Sequence, residues 1–218
     1  MIAENADLET GTLSDEVYRR LRQAIVKGEH RPNARLIEAE LAEQLQVSRT
    51  PIRDSLLRLA GEGLVLSRRR GWVVREHTAA EIAEIYGVRL ALEGYAARLA
   101  ATIGDDAALE RIRSIHERGT QDQNRGARER LVDDNDDLHD AIVEASGNTR
   151  LKESINQTCE FYFNHRVADM YSDEEATQSI ASHDVVVRAI LARDGDAAES
   201  AMRAHIAEAL ALIRNKIR

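Results

Sequence analysis

Hydrophobic residues near the start of the chain recur with the period of an α-helix. Ser14 is expected to cap this first helix and Gly28 to end it. Its inward face is formed by residues spaced about one turn apart, namely Val17, Leu21, Ala24 and Ile25. Residues 1–13 show no such period, and we predict a flexible tail there.

Two further helices are predicted, separated by a tight break at 46–47. One covers 38–45, and the other begins after Ser48 and closes at Gly61. Pro51 falls in the first turn of the latter, where a missing backbone N–H costs little. The inward faces are formed by Leu41, Ala42 and Leu45 in one helix and by Ile52, Leu56 and Leu59 in the other.

After the third helix the pattern changes to that of short β-strands. Residues 64–66 and 72–74 are apolar runs on either side of a basic turn at 67–71. We expect Trp72 to pack on the domain core. Three helices and this hairpin predict a winged helix-turn-helix domain over 14–76.

From residue 77 onward the pattern is helical. Six helices with short connections are typical of an antiparallel bundle, and the longest loop is expected at 119–126. The predicted helices cover 79–103, 105–118, 127–146, 149–169, 173–193 and 196–217. The fold class is therefore mainly α, with an all-helical domain over 77–218.

Charge is divided unevenly between the two domains. The chain carries −8 overall, but residues 1–76 carry +1 (13 basic, 12 acidic) and residues 77–218 carry −9 (17 basic, 26 acidic). The first domain can therefore approach phosphate groups. No apolar run is long enough to span a bilayer, no secretory pattern is seen, and the single cysteine, Cys159, cannot form an intramolecular disulfide. We expect a cytoplasmic protein with no membrane partner.

The start of the third helix has side chains suited to DNA. In a helix-turn-helix, the second helix places its N-terminal residues in the major groove. Ser48 and Thr50 offer hydroxyl groups to phosphates, and Arg49 and Arg53 can reach phosphates or base edges. The turn would add a salt-dependent grip through Arg68, Arg69 and Arg70. Any one arginine alone fits an ordinary solvated surface, whereas the combination favours DNA binding.

Three histidines of the second domain interrupt apolar helix faces. Asn135 and His139 are one turn apart on one face, and His183 and His205 lie among aliphatic residues of two other helices. Buried imidazoles need partners, and a divalent metal ion such as zinc or nickel is one partner that suits them. The alternative is three separate hydrogen-bonded histidines, which the spacing alone favours. We expect the remaining histidines at the surface, namely His30, His77, His116 and His165.

Four runs of the first domain match a known family. They are Ala-Ile-Val-Lys-Gly at 24–28, Glu-Leu-Ala-Glu-Gln-Leu at 40–45, Val-Ser-Arg-Thr-Pro-Ile-Arg-Asp-Ser-Leu at 47–56 and Leu-Ala-Gly-Glu-Gly-Leu-Val at 59–65. Residues 17–76 thus resemble the GntR family of bacterial regulators. The resemblance implies that Ser48, Arg49, Thr50 and Arg53 touch DNA, assisted by the wing around Arg69. Many relatives have a basic contact where this chain has Ala39, so that contact is absent or supplied by Arg35.

The second domain also matches a known module. Its matching residues are Tyr-Gly-Val-Arg-Leu-Ala-Leu-Glu-Gly at 86–94, Asn135, Leu-His at 138–139, Ala-Ser-Gly-Asn at 145–148, His183, Gly-Asp at 195–196 and His205. They resemble the all-helical FCD domain of the FadR subfamily, which often binds a metal ion through three histidines and an Asp or Asn. The resemblance implies a divalent metal at Asn135, His139, His183 and His205. Asn135 brings no charge, which implies a weaker site.

Arg89 and Glu93 are one turn apart on the first helix of this domain. An internal ion pair between them is one explanation. The resemblance to FCD domains implies a second explanation, because in those domains the matching arginine tends to face the cavity. There Arg89 would bind a carboxylate effector, with Glu93 beside it. Both interpretations stay open.

Together these features predict a transcriptional regulator, expected to be a repressor, that binds a pseudo-palindromic operator as a homodimer. A small organic acid bound in the second domain would control its affinity for DNA. Two alternatives remain. One is a metal-dependent enzyme, but the sequence shows no candidate general base at the spacing of a catalytic motif, which argues against this alternative. The other is an architectural DNA-binding dimer without an effector.

Overall fold

The chain divides into two compact units, Met1–Glu76 and His77–Arg218. The structure is a computed structural model that describes residues 12–69, 71–124, 131–158 and 171–216. Several predicted features lie outside the described residues: most of the tail, Arg70, Cys159, His165 and the helical segment predicted over 159–169.

The first unit contains three helices and a small sheet. In chain order they are α1 (Leu13–Val26), β1 (Arg35–Leu36), α2 (Glu38–Gln44), α3 (Arg49–Gly61), β2 (Val65–Arg68) and β3 (Gly71–Val74). The sheet is antiparallel with the strand order β1-β3-β2. Strand β1 was not predicted, because two residues are too few to show an alternating pattern.

The start of α1 differs from the prediction, which placed the cap at Ser14. Thr12 is the cap instead: its hydroxyl accepts from the Asp15 backbone N–H, and the Asp15 carboxylate accepts from the Thr12 backbone N–H. This reciprocal pair satisfies two backbone donors at once. A lone Ser14 cap would satisfy only one.

The core of the first unit fixes the direction of α3. Ile52, Leu56 and Leu59 are fully buried beneath it, as predicted. Trp72 is 7% exposed and donates through its indole N–H to Glu38, 3.1 Å away, which confirms that it packs on the core. Gln46, with φ of 54°, makes the sharp turn between α2 and α3. The opposite face of α3 is therefore exposed.

We expect Leu56→Ala to lower the free energy of unfolding of this unit by roughly 2–5 kcal/mol, because it leaves a cavity in a packed core. Leu57 is the matched control, since it is the next residue along α3 and is 54% exposed. Urea denaturation of both variants measures the difference. Equal losses of stability in the two variants would mean that α3 does not have one buried face and one exposed face as described.

The second unit is helical throughout its described residues. Its helices are α4 (Ala79–Ile103), α5 (Asp106–Asn124), α6 (Leu131–Ala145), α7 (Thr149–Thr158), α8 (Asp173–Leu191) and α9 (Gly195–Lys216). Helix α4 is central and packs against α6, α7, α8 and α9, while α5 packs against α6 and α8. Within the ranges described, no helix combines the length and the apolar character that a membrane crossing requires.

The loop predicted at 119–126 is wrong over its described part, because α5 continues to Asn124. Gly119 lies inside this helix and faces α6. A Cβ at this position would lie 3.3 Å from the Cβ of Asp134. Gly119 therefore allows close helix packing here and does not break the helix.

Candidate DNA interface and metal centre

The N-terminal end of α3 has the features of an anion-binding helix end. Ser48 occupies the N-cap position, yet its side chain makes no capping hydrogen bond, and the first turn contains no acidic residue. The backbone N–H groups of such a turn and the helix dipole favour negative charge. Ser48, Arg49, Thr50 and Arg53 are all exposed here, which is the placement that a DNA contact requires.

The arginines of the first unit differ in their ion pairs. Arg58 lies near the other end of α3 and pairs with Asp15 at 2.7 Å, and Arg22 of α1 pairs with Glu62 at 3.3 Å. Arg49 and Arg53 make no hydrogen bond or ion pair to any other residue in the described ranges. Their charge is therefore not neutralised within this part of the chain.

Strand β1 brings Arg35 to the wing, where it lies opposite Val73 in the sheet. Arg35, Arg68 and Arg69 line one surface groove together with residues of β3. The sequence suggested Arg35 as a substitute DNA contact, and the pairing of β1 with β3 gives it a place beside the wing arginines. Arg70 lies outside the described residues.

In the second unit, the three predicted histidines come together from α6, α8 and α9. The Nε2 atom of His139 is 3.3 Å from Nε2 of His183 and 3.3 Å from Nε2 of His205, and the last two are 3.1 Å apart. The residues are only 5–6% exposed. Three ring nitrogens thus point at one shared position.

Hydrogen bonds at the far side of two rings set which nitrogen carries the proton. His139 Nδ1 is 2.5 Å from Glu93 Oε2. His205 Nδ1 is 2.7 Å from the hydroxyl of Ser182, whose own proton goes to the Ser179 carbonyl. Both acceptors hold the ring proton on Nδ1, so Nε2 presents a lone pair to the shared position.

The electrostatics keep His183 and His205 in the neutral form that binds metals. Burial lowers the pKa of His183 well below its ordinary value, and His205 and His139 lower it further. Burial also lowers the pKa of His205 to about 3, with His139 and Arg89 adding to the effect. Burial alone would raise the pKa of Glu93, but Arg89 and His139 together hold it below its ordinary value. Neutral imidazoles are the form that binds metals.

These residues fit a metal ion by donor type and by spacing. Three Nε2 lone pairs directed at one position across 3.1–3.3 Å would repel one another, and a cation between them would remove that repulsion. A tetrahedral zinc ion, with bonds to histidine of about 2.0–2.1 Å, separates its nitrogen ligands by roughly 3.3 Å. The interpretation as three separate histidines is therefore wrong, because the three rings form one cluster.

The lowered pKa values predict acid sensitivity of the metal-free protein. The unfolded chain takes up protons below a pH of about 6.5, whereas folded His205 resists protonation until about 3. Stability should therefore be greatest above pH 6.5 and fall as the pH drops from 6.5 towards 3. Thermal unfolding in a chelator should show this decline, and His205→Gln should make it shallower. An identical decline in both proteins would contradict the assignment to His205.

A pocket opens in front of the histidine cluster. The cavity measures about 70 Å³, and Arg89, Asn135 and His116 line it along with the cluster itself. Asn135 therefore lies on the pocket wall, one turn before His139.

Arg89 satisfies the ion-pair interpretation and also faces the pocket. Its Nε is 2.7 Å from Glu93 Oε1, and its guanidinium lies 4.9 Å from the centre of the Tyr86 ring. Glu93, by contrast, is 2% exposed and is not part of the pocket wall. The structure therefore places Glu93 behind Arg89, off the pocket wall, and its direct contact with an effector stays a prediction.

Two histidines expected at the surface are not there. His77 is 5% exposed. His116 lines the pocket and lies 3.3 Å from Asp184, and burial lowers its pKa. Sequence reasoning also missed Ser182 and its bond to His205. Of these, only His116 had a usable signal, since it follows Ile112 and Ile115 on the buried side of α5.

Comparison with known proteins gives a consistent result. The bacterial regulatory proteins of the gntR family match residues 13–74, and the FCD domain matches residues 84–208. A probable D-xylose utilization operon transcriptional repressor of Paenarthrobacter nicotinovorans is 30% identical over 95% of this chain and 91% of its own. The uncharacterized HTH-type transcriptional regulator YdhC of Bacillus subtilis is 27% identical over 87% and 86%.

Solved structures agree with the fold. McbR/YncC of E. coli superposes with a TM-score of 0.83 at 25% identity and covers 96% of this chain and all of its own. A putative GntR regulator of Rhodococcus sp. RHA1 superposes with a TM-score of 0.78 at 24% identity, covering 94% and 99%. Since the matching families and relatives are transcriptional regulators and not enzymes, this chain is a transcriptional regulator that belongs to the GntR family and carries an FCD domain.

Proposed function

We propose that this protein is a homodimeric repressor whose affinity for a pseudo-palindromic operator is controlled by a small carboxylic acid. The acid would bind in the helical unit between Arg89 and a divalent metal ion. The observation that carries this proposal is the meeting of three buried Nε2 atoms at the wall of a pocket. Operator DNA lies in the bacterial cytoplasm, so the protein would act there.

The DNA side of the proposal rests on α3 and the wing. Arg53 would reach base edges in the major groove, while Ser48, Arg49 and Thr50 would contact the backbone or a guanine near the helix start. Arg35, Arg68, Arg69 and Arg70 would hold the neighbouring phosphates. The repressor assignment draws support from the Paenarthrobacter relative, which is named as the probable repressor of an operon.

In the helical unit, His139, His183 and His205 would hold the ion, with Asn135 as a neutral fourth ligand. A bound zinc or nickel ion would supply positive charge and, by taking a further ligand beyond these four, a coordination position for a carboxylate oxygen. Arg89 would hold the same carboxylate through its guanidinium group.

Control of DNA binding requires that the acid favour one arrangement of the dimer over another. A ligand that binds both arrangements equally shifts nothing, however tightly it binds. We propose that occupancy of the pocket changes the spacing of the two α3 helices on the operator. Dimerisation is part of the proposal, because a palindromic site needs two recognition helices.

The test combines elemental analysis of the purified protein with mobility shifts on DNA from upstream of its own gene. We expect about one metal ion per chain, a specific shift, and release of the DNA by a short carboxylic acid. Absence of a shift at low salt would refute DNA control. A shift without metal, and without response to a panel of short acids, would instead favour the architectural dimer.

A further inference from the structure

Glu93 contacts both halves of the proposed effector site. One carboxylate oxygen binds Arg89 on the pocket wall, and the other binds His139 of the histidine cluster. We propose that Glu93 is a positioning residue that couples the binding of a carboxylate at Arg89 to the metal affinity of the histidines. The inference rests on the proposed function and adds a route of communication within its site.

Glu93 joins Arg89 to His139 through the two oxygens of one carboxylate. Its Oε1 is 2.7 Å from Arg89 Nε and its Oε2 is 2.5 Å from His139 Nδ1. The Glu93 side chain is 3% exposed, so these interactions are shielded from water and are correspondingly strong. Because Glu93 is not on the pocket wall, a carboxylate held by Arg89 would act on Glu93 through the guanidinium group.

The sign of the coupling follows from competition for the guanidinium group. A carboxylate bound at Arg89 shares the positive charge that otherwise balances Glu93. Glu93 then becomes a stronger hydrogen-bond acceptor for His139 Nδ1–H, which makes Nε2 of the same ring a better metal ligand. Carboxylate binding should therefore tighten metal binding, and metal should tighten carboxylate binding by the same factor.

Ser182 provides a matched control. Its hydroxyl supports His205 at 2.7 Å, just as Glu93 supports His139. Its other hydrogen bond goes to the Ser179 carbonyl on its own helix, and among the described residues it makes no hydrogen bond to Arg89. Loss of Ser182 should therefore weaken metal binding without affecting the coupling.

The experiment measures zinc affinity by competition with a chromophoric chelator, with and without excess acetate as the carboxylate probe. For the wild-type protein we expect acetate to tighten zinc binding about fivefold or more. Ser182→Ala should bind zinc about tenfold more weakly but keep the acetate effect. Glu93→Gln should bind zinc about 10- to 100-fold more weakly than the wild-type protein. Acetate should change the zinc affinity of this variant by less than about twofold.

The outcomes separate this inference from the proposed function. If Glu93→Gln keeps the wild-type acetate effect, or if the wild-type protein binds zinc and acetate independently, the coupling role is overturned while the metal site stands. If the wild-type protein binds no zinc, the proposed function fails and the inference fails with it. Should Glu93→Gln not fold, as judged by circular dichroism, Glu93→Asp replaces it, because we expect a carboxylate one methylene shorter to lose at least one of the two contacts.

Discussion

Replacing both Arg49 and Arg53 with alanine is expected to lower specific operator affinity by at least about 100-fold while leaving the first unit folded. A base-reading arginine contributes about 1–3 kcal/mol, and a symmetric dimer loses that contribution at both half-sites. Loss of one such residue therefore lowers the operator affinity of the dimer by roughly 30-fold to 10⁴-fold. Both side chains are exposed on α3, so their loss leaves no cavity.

Arg19→Ala is the matched control for this loss. Arg19 is also an exposed arginine without an ion pair in the described residues, but it lies on α1. Fluorescence anisotropy at several salt concentrations should show little change in sequence preference for Arg19→Ala. The double variant should retain only weak, strongly salt-dependent binding. Equal affinities of the two variants for operator DNA would contradict the assignment of α3 as the recognition helix.

Removing one imidazole of the cluster is expected to have the second large effect. His183→Ala should lower the bound metal from about one ion per chain to nearly none, because two histidines and a neutral Asn135 are a weak ligand set for zinc. Response of the DNA complex to a carboxylic acid should disappear together with the metal. Elemental analysis and mobility shifts measure the two effects.

His116→Ala controls for general damage to the pocket. His116 lines the same cavity, and its Nε2 is bonded to Asp184 and not to the histidine cluster. Its replacement should leave the metal content unchanged. If both variants lose the metal equally, the site is not the one formed by the three Nε2 atoms. If neither loses it, the ion is held elsewhere.

Much of the fold could be predicted because periodic burial determines helices. The inward residues of α1 and α3 were predicted from spacing alone and are all buried or partly buried. Predictions failed where tertiary contacts decide the local structure. Gly119 continues a helix because it packs against Asp134, and β1 exists because β3 pairs with it. Neither contact leaves a pattern in the neighbouring sequence.

The site was predictable to a similar degree. His139, His183 and His205 stood out because each interrupts an apolar helix face, but only packing of three helices shows that their Nε2 atoms meet. The partners behind them could not be predicted in the same way. Ser182 looks like any serine on a helix, and the double contact of Glu93 depends on the angle at which α4 meets α6.

The three histidines lie 44 and 22 residues apart along the chain and on separate helices. No short peptide from this protein can assemble that set, so an ion that binds there recognises only the folded bundle. If the proposed metal binds there, it would act as a reversible cross-link over the C-terminal half of the chain and add its binding free energy to the stability of the fold. Metal-starved cells would then contain not only an unresponsive regulator but one that unfolds, and is degraded, more readily.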